Sequence, residues 1–274
     1  MMSGITIDSF SLWQFFLATV AFVFLFIEVG YLLGRRHRQK DPALESSVSA
    51  MAGATAGLLA FMLAFTFGSA ASRHDSRKHM LLEETNAIGT TYLRAALLPD
   101  SHREEVRRLL RDYVDLRVKA PQLGKAELQQ AVVRSEALQD QLWEQAVEAG
   151  QKSPGSITTG LFIQSLNELI DLHLKRLTVA IRNRVPVTIW GTLFFLAAMS
   201  MFMMGYRAGL VGSRSFMVSL ALVLSFTGVM FLIADLDRPQ QGLIRVSQQA
   251  MVELQNKFNR DLAPLAPGYK RGSD

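Results

Sequence analysis

The sequence predicts an all-α integral membrane protein, with four transmembrane helices and a soluble helical bundle inserted between the second and third. Three observations carry that reading. Four long apolar stretches, Leu12–Leu33, Met51–Ala71, Pro186–Tyr206 and Phe216–Ala234, approach or exceed the ~20 apolar residues a helix needs to cross a hydrocarbon core of ~30 Å. Between the second and third lies a charged segment of over a hundred residues with helical spacing of its apolar positions and no strand alternation. The composition, 49% hydrophobic and 19% charged with mean hydropathy +0.18, is apolar for a globular chain and polar for a bare set of spans. No water satisfies backbone amides inside lipid, so each apolar stretch must cross as a helix.

The expected divisions are a hairpin of spans one and two (1–71), a soluble helical domain (72–185), a hairpin of spans three and four (186–234), a C-terminal amphipathic helix (235–261) and a flexible tail (262–274). Only Asp8 is charged before the first apolar run, and no small-residue cleavage site follows it, so the run reads as a retained span and not a signal peptide. Trp13 and Tyr31 suit its two interfaces, and the basic run Arg35-Arg36-His37-Arg38-Gln39-Lys40 followed by Asp41-Pro42 ends it. Glu28, late in this span, is a carboxylate within reach of either the headgroups or a polar partner.

Span two carries small residues at four-residue spacing, Ala52, Ala56, Ala60, Ala64, Gly68 and Ser72, with Gly53 and Gly57 forming a GxxxG. Such a stripe lets helix backbones approach closely in lipid. It predicts that Gly53, Ala56, Ala60, Ala64 and Gly68 pack against neighbouring helices, with span two at the centre of an assembly. Beyond Ser72 the helix continues into water, with Leu81, Ile88 and Leu93 among its apolar positions, and Pro99 ends it. Ser101 and Glu104 predict a capping box for a second helix reaching Lys119, where Leu109, Tyr113 and Leu116 share a face. A third helix follows over Lys125–Ala149, with Leu128, Val132, Leu138, Leu142 and Val147 apolar, and Ser153-Pro154-Gly155 makes a turn. A fourth, Ser156–Arg184, leads into span three, where Pro186 suits a first helical turn. Span four ends at Asp235-Leu236-Asp237-Arg238-Pro239, and Val246, Ala250, Leu254 and Phe258 mark the last amphipathic helix.

Several chemistries find no support. The net charge of +5 is not gathered into one tract, which argues against nucleic acid as a partner. The chain has no cysteine, which excludes disulfides, thiolate metal sites and a cysteine nucleophile. His37, His74, His79, His102 and His173 form no ligand set and read as solvated, and Glu83-Glu84 reads as a helix surface or a partner for Arg77 and Lys78. No nucleophile elbow or phosphate loop is present, so neither an enzyme nor a bound cofactor or metal is expected.

Two motifs carry a family resemblance. Leu58–Pro99, LLAFMLAFTFGSAASRHDSRKHMLLEETNAIGTTYLRAALLP, resembles the signature of the bestrophin-like bacterial membrane proteins of unknown function, and Asp235-Leu236-Asp237-Arg238-Pro239 resembles their second signature. The resemblance implies remote similarity to the bestrophin anion channels, which are pentamers with the second span lining the pore. It thus implies a homo-oligomer that conducts inorganic ions, more particularly anions, among the lipids of a bacterial inner membrane. Aligning the family's arginine with Arg73 puts the apolar neck at Gly57, Phe61 and Phe65 and makes Arg73 a basic pore mouth. Gly57 departs from the bulky residue expected there, and His74 and Asp75 replace the tryptophans that follow the arginine. The acidic calcium clasp is also missing, since Arg238, Pro239, Gln240, Gln241 and Gly242 follow Asp237. Glu28, Asp235 and Asp237 remain as intramembrane or switch acids. The alternative is a non-conducting scaffold or sensor whose helical domain binds a protein partner. Basic residues in the short loops, Arg35, Arg36, Arg38, Lys40, Arg207 and Arg214, would put the helical domain outside the cell, whereas the resemblance implies the cytoplasm.

Overall fold

The structure, a computed structural model, describes residues 11–37, 42–179, 184–212, 215–238 and 242–262. Among these residues there is no strand. The helices are α1 (Leu12–Arg36), α2 (Pro42–Ala95), α3 (Asp100–Lys119), α4 (Lys125–Lys152), α5 (Ile157–Leu177), α6 (Val187–Val211), α7 (Phe216–Asp237) and α8 (Gln249–Leu262). Four of them, α1, α2, α6 and α7, are long and apolar enough to cross a membrane. The flexible tail, the Asp41-Pro42 break, Arg38, Lys40, Arg214, Pro239, Gln240 and Gln241 touch or lie outside the described residues.

The chain divides into two compact units, residues 1–75 with 183–245 and residues 76–182 with 246–274. In the first unit, Leu59, Leu63 and Ala70 of α2 share a buried cluster with Trp190, Leu193 and Ala197 of α6 and Met230, Ile233 and Ala234 of α7. Two buried hydroxyls in the membrane-length helices turn back on their own backbone: Thr19 of α1 donates to the Phe15 carbonyl at 2.8 Å and Thr66 of α2 to that of Met62 at 2.7 Å. Such internal bonds remove the cost of a polar group in an apolar surround.

The backbones of α1 and α6 approach each other closely. Gly30 and Gly34 sit four residues apart on the first of these, and Gly205 and Gly209 answer them on the second. A Cβ on Gly209 would come within 2.7 Å of the Arg35 amide nitrogen, and one on Gly30 within 2.9 Å of that of Tyr206. Built on Gly34 or Gly205, it would collide with the carbonyl oxygen of Tyr206 or Ile27 respectively. Both runs, Gly30-Tyr31-Leu32-Leu33-Gly34 and Gly205-Tyr206-Arg207-Ala208-Gly209, are GxxxG patterns that bring two backbones together. The expected stripe on α2 behaves differently: among the described residues nothing lies within 4 Å of a Cβ built at Gly53, Gly57 or Gly68.

The second unit is a bundle around Ile88, Tyr92, Leu109, Leu110, Tyr113, Leu142, Phe162 and Leu166, closed by Met251 and Phe258 of α8. Tyr92 stacks on Phe258 with ring centroids 3.9 Å apart, and the Arg107 guanidinium lies 4.9 Å above the Tyr92 ring. Tyr92, not Leu93, turns into the core, and Ala146 takes the place expected of Val147. The α8 helix starts at Gln249, so Met251, Leu254 and Phe258 form its inner stripe while Val246 precedes it. The Ser101–Glu104 capping box does not form. The α3 helix begins at Asp100 with Pro99 as its N-cap, and Asp100 instead pairs with Arg103 at 2.8 Å. The predicted turn is present, with Gly155 at φ 80°, a conformation suited to glycine.

These contacts make a contrast between glycines. Gly34→Ala is expected to lower the stability of the purified protein by about 1–3 kcal/mol, the usual cost of overpacking, because the backbones must part. Gly57→Ala should not lower it, and the better helix propensity of alanine should raise it by up to about 1 kcal/mol. Thermal unfolding in one detergent, followed by circular dichroism, checks both.

Candidate functional site

The face of α2 that bears the expected neck is open. Successive residues advance about 100° round a helix, so Gly57, Phe61, Phe65 and Gly68 fall within an arc of roughly 80°. Phe61 is 66% and Phe65 63% exposed, whereas Leu59 and Leu63, on the other side of the same turns, are 0% and 5% exposed. Ala60 and Ala64 are exposed and Ala56 is half-buried. The helix therefore has one side committed to its own chain and one side, carrying two benzyl groups among small residues, largely uncovered by the described residues.

Arg73 lies off this open arc. Its Nε is 3.9 Å from Asp237 Oδ1, and its side chain is 21% exposed. Asp237 is the last residue of α7, and its Oδ1 also accepts the Val185 backbone N–H at 2.9 Å. Two residues earlier, the buried Asp235 carboxylate accepts the backbone N–H groups of Leu243 at 2.5 Å and Ile244 at 2.9 Å. A side chain at Gly242 would press on Asp235, its Cβ lying 2.9 Å from both the carbonyl oxygen and Oδ1. The second sequence signature is thus, in the described residues, a fastening at the end of α7. Glu28 is half-buried on α1.

A second polar constellation escaped the sequence reading. Glu84 is fully buried and gripped from two other helices, α3 and α5. The Tyr113 hydroxyl donates to its Oε1 at 2.9 Å, Arg117 Nη2 donates to Oε2 at 3.2 Å, and Arg176 Nη1 donates to Oε2. His173 Nδ1 is 2.9 Å from the Tyr113 oxygen, and Gln139 Nε2 donates to that oxygen at 3.4 Å. Because the hydroxyl proton goes to Glu84, the histidine must supply the proton for its own bond, which places a proton on Nδ1. Glu84 therefore belongs to Arg117 and Arg176, not to Arg77 and Lys78, and His173, like His102, is buried and not solvated. Glu83 instead lies beside His79, 3.2 Å away.

Glu84 is 13 residues past Ala71, about 20 Å further along the helix at 1.5 Å per residue, and so stands outside the apolar span. Burial alone would raise its pKa. The charges of Arg117 and Arg176, with the bonds from Arg176 and Tyr113, outweigh that and hold it at about 2. Burial and then the charge of Arg117 push His173 down to about 4, against the opposing pull of Glu84. Burial raises the Tyr113 phenol, so it stays protonated. Among the described residues no group of His, Asp and Glu could hold a metal ion.

Four membrane-length helices, a helical bundle and an acidic turn after the last span define an integral membrane protein of the bestrophin fold class. The chain matches the Bestrophin-like domain over residues 17–251 and belongs to that family. In structure it is similar to a bacterial bestrophin homologue from Klebsiella pneumoniae, with TM-score 0.63 at 16% identity over 90% of this chain and 97% of that one. A single-residue variant of that homologue gives TM-score 0.63 at 15% identity over the same shares, and a further membrane protein gives 0.61 at 17% over 92% and 96%. No curated protein matches.

The buried cluster yields an acid-stability profile. Glu84 titrates below its ordinary 4.5, so its contribution is complete above that pH and is lost as the pH falls toward 2. His173 titrates below its ordinary 6.5, so the unfolded chain takes the proton first and stability declines as the pH falls from 6.5 to 4. The two act in the same direction. Glu84→Gln should cost about 3–5 kcal/mol at neutral pH by stranding two buried guanidinium groups. His173→Gln should flatten the decline between pH 6.5 and 4, read from denaturant unfolding at a series of pH values.

Proposed function

We propose that the chain is one protomer of a ring-shaped homo-oligomer that conducts inorganic ions along a path lined by α2, with Gly57, Phe61 and Phe65 at its constriction. The observation that carries this reading is the two-sidedness of α2. Its Leu59–Leu63 side is packed in its own chain, and its Phe61–Phe65 side is left for something else. Lipid alone would accept such a face. The run of Gly53, Gly57, Gly68 and the alanines, however, suits close approach of a second copy of α2 better than it suits lipid. Rings of phenylalanine narrow a passage and gate it by dewetting, and their positive edges can face a partly dehydrated anion. Family membership supports the same reading, which we extend to a pentameric ring in a bacterial inner membrane with the helical domain on the cytoplasmic side.

The anion preference draws its support from the resemblance. Arg73, the basic residue assigned to the mouth, has Asp237 beside it, so its charge is partly offset. One observation favours the non-conducting scaffold instead: at Gly57 the constriction lacks a third bulky ring, and a passage open at that level would seal poorly.

Planar-bilayer recordings of the purified oligomer test the reading. Phe61→Ala and Phe65→Ala should each raise the steady current several-fold by widening the dewetted stretch. Silence across voltages and ions, with the oligomer shown intact by cross-linking, would reject conduction in favour of the scaffold.

A further inference from the structure

We infer that Arg73 and Asp237 form a positioning pair: their contact sets how α2 presents Phe61 and Phe65, and Arg73 does not serve as a free charge for passing ions. The functional consequence rests on the conducting reading above, and the contact itself rests on geometry alone.

Asp237 ends α7, where the partial negative charge of the aligned peptide dipoles disfavours a carboxylate. It is nonetheless buried, and it receives the Val185 N–H at 2.9 Å and faces Arg73 Nε at 3.9 Å. Its position is not free to drift, because Asp235 ties the same helix end to the backbone of Leu243 and Ile244. Arg73 Nε and Nη2 are themselves buried and donate no hydrogen bond among the described residues, so the ion pair with this carboxylate is what offsets the inward-pointing guanidinium. A cation at a pore mouth would point the other way, into water. Separating a buried cation from its counter-charge is strongly unfavourable. Turning α2 by one residue, about 100°, would both break the pair and carry Phe65 toward the packed side. Arg73 lies 8 residues beyond Phe65 and 12 beyond Phe61 (73 − 65 and 73 − 61) on one unbroken helix, so whatever holds its rotation holds theirs. The pair joins two sequence signatures that looked independent, one on α2 and one after α7.

Two measurements on the full-length oligomer test this. In bilayers, Arg73→Gln and Asp237→Asn should each lower the open fraction roughly tenfold, the effect of one lost charge-assisted contact on a two-state equilibrium. Unitary conductance and reversal potential in asymmetric salt should stay at their wild-type values, and Arg73→Lys should recover most of the open fraction. A shift of reversal potential in Arg73→Gln with no effect of Asp237→Asn would overturn the pair and restore Arg73 as a mouth charge. Hydrogen exchange supplies a readout independent of current: the α2 amides around Arg73 should exchange roughly tenfold faster in Asp237→Asn. Unchanged exchange overturns the inference whether or not the protein conducts. Faster exchange in an oligomer whose wild type is silent upholds the pair and rejects the channel. Should Asp237→Asn fail to assemble, the comparison of Arg73→Gln with Arg73→Lys decides the same question.

Discussion

The interaction on which the membrane unit depends is the backbone contact between α1 and α6. Helices in lipid gain little from the hydrophobic effect when they meet, since the tails are as apolar as leucine. What distinguishes one arrangement from another is how closely two backbones can approach. Gly30, Gly34, Gly205 and Gly209 remove every side chain from that approach, and carbonyl oxygens fill the space a Cβ would need. With α1 and α6 so joined, α2 contributes only its Leu59–Leu63–Ala70 side to the shared cluster. Its opposite side is left with phenylalanines and small residues. The functional reading of the second span is in this sense a by-product of where the closest glycines lie.

Much of the architecture was legible from apolar length and helical period. Four spans and their order follow from runs of apolar residues that no soluble chain would tolerate, and the continuation of the second span past Ser72 follows from unbroken periodicity up to Pro99. The finer readings failed where a local rule met a tertiary one. Leu93 and Tyr92 are adjacent, and period alone cannot say which faces inward; stacking on Phe258 decides for the tyrosine. The Ser101–Glu104 spacing is a sound capping signal, but Pro99 caps the helix two residues earlier and the signal falls inside it. The glycine patterns on α1 and α6 obey the same rule that drew notice to Gly53 and Gly57, so their signal was present and was outweighed by the more regular stripe on α2.

The polar sites were harder to read. Glu84, Tyr113, Gln139, His173 and Arg176 come from four helices, and no spacing in a single sequence links them. The one local hint, two adjacent glutamates, pointed to the surface; the helix turns one of them inward and leaves the other beside His79. Arg73 and Asp237 were both singled out, but from separate motifs and for separate roles, because they stand 164 positions apart in the chain. Proximity in space is what makes them one feature.

The cluster around Glu84 also bears on how such a chain can change over generations. A buried ion pair exchanged wholesale for apolar residues of similar volume is often neutral or better, whereas removal of one member leaves a charge stranded. Here one acid answers to two guanidinium groups, a phenol and an imidazole, so a lineage would need several coordinated substitutions to leave the arrangement, each first step being harmful. Descendants should therefore keep the whole set or lose the whole set, and relatives with a partial set should be rare.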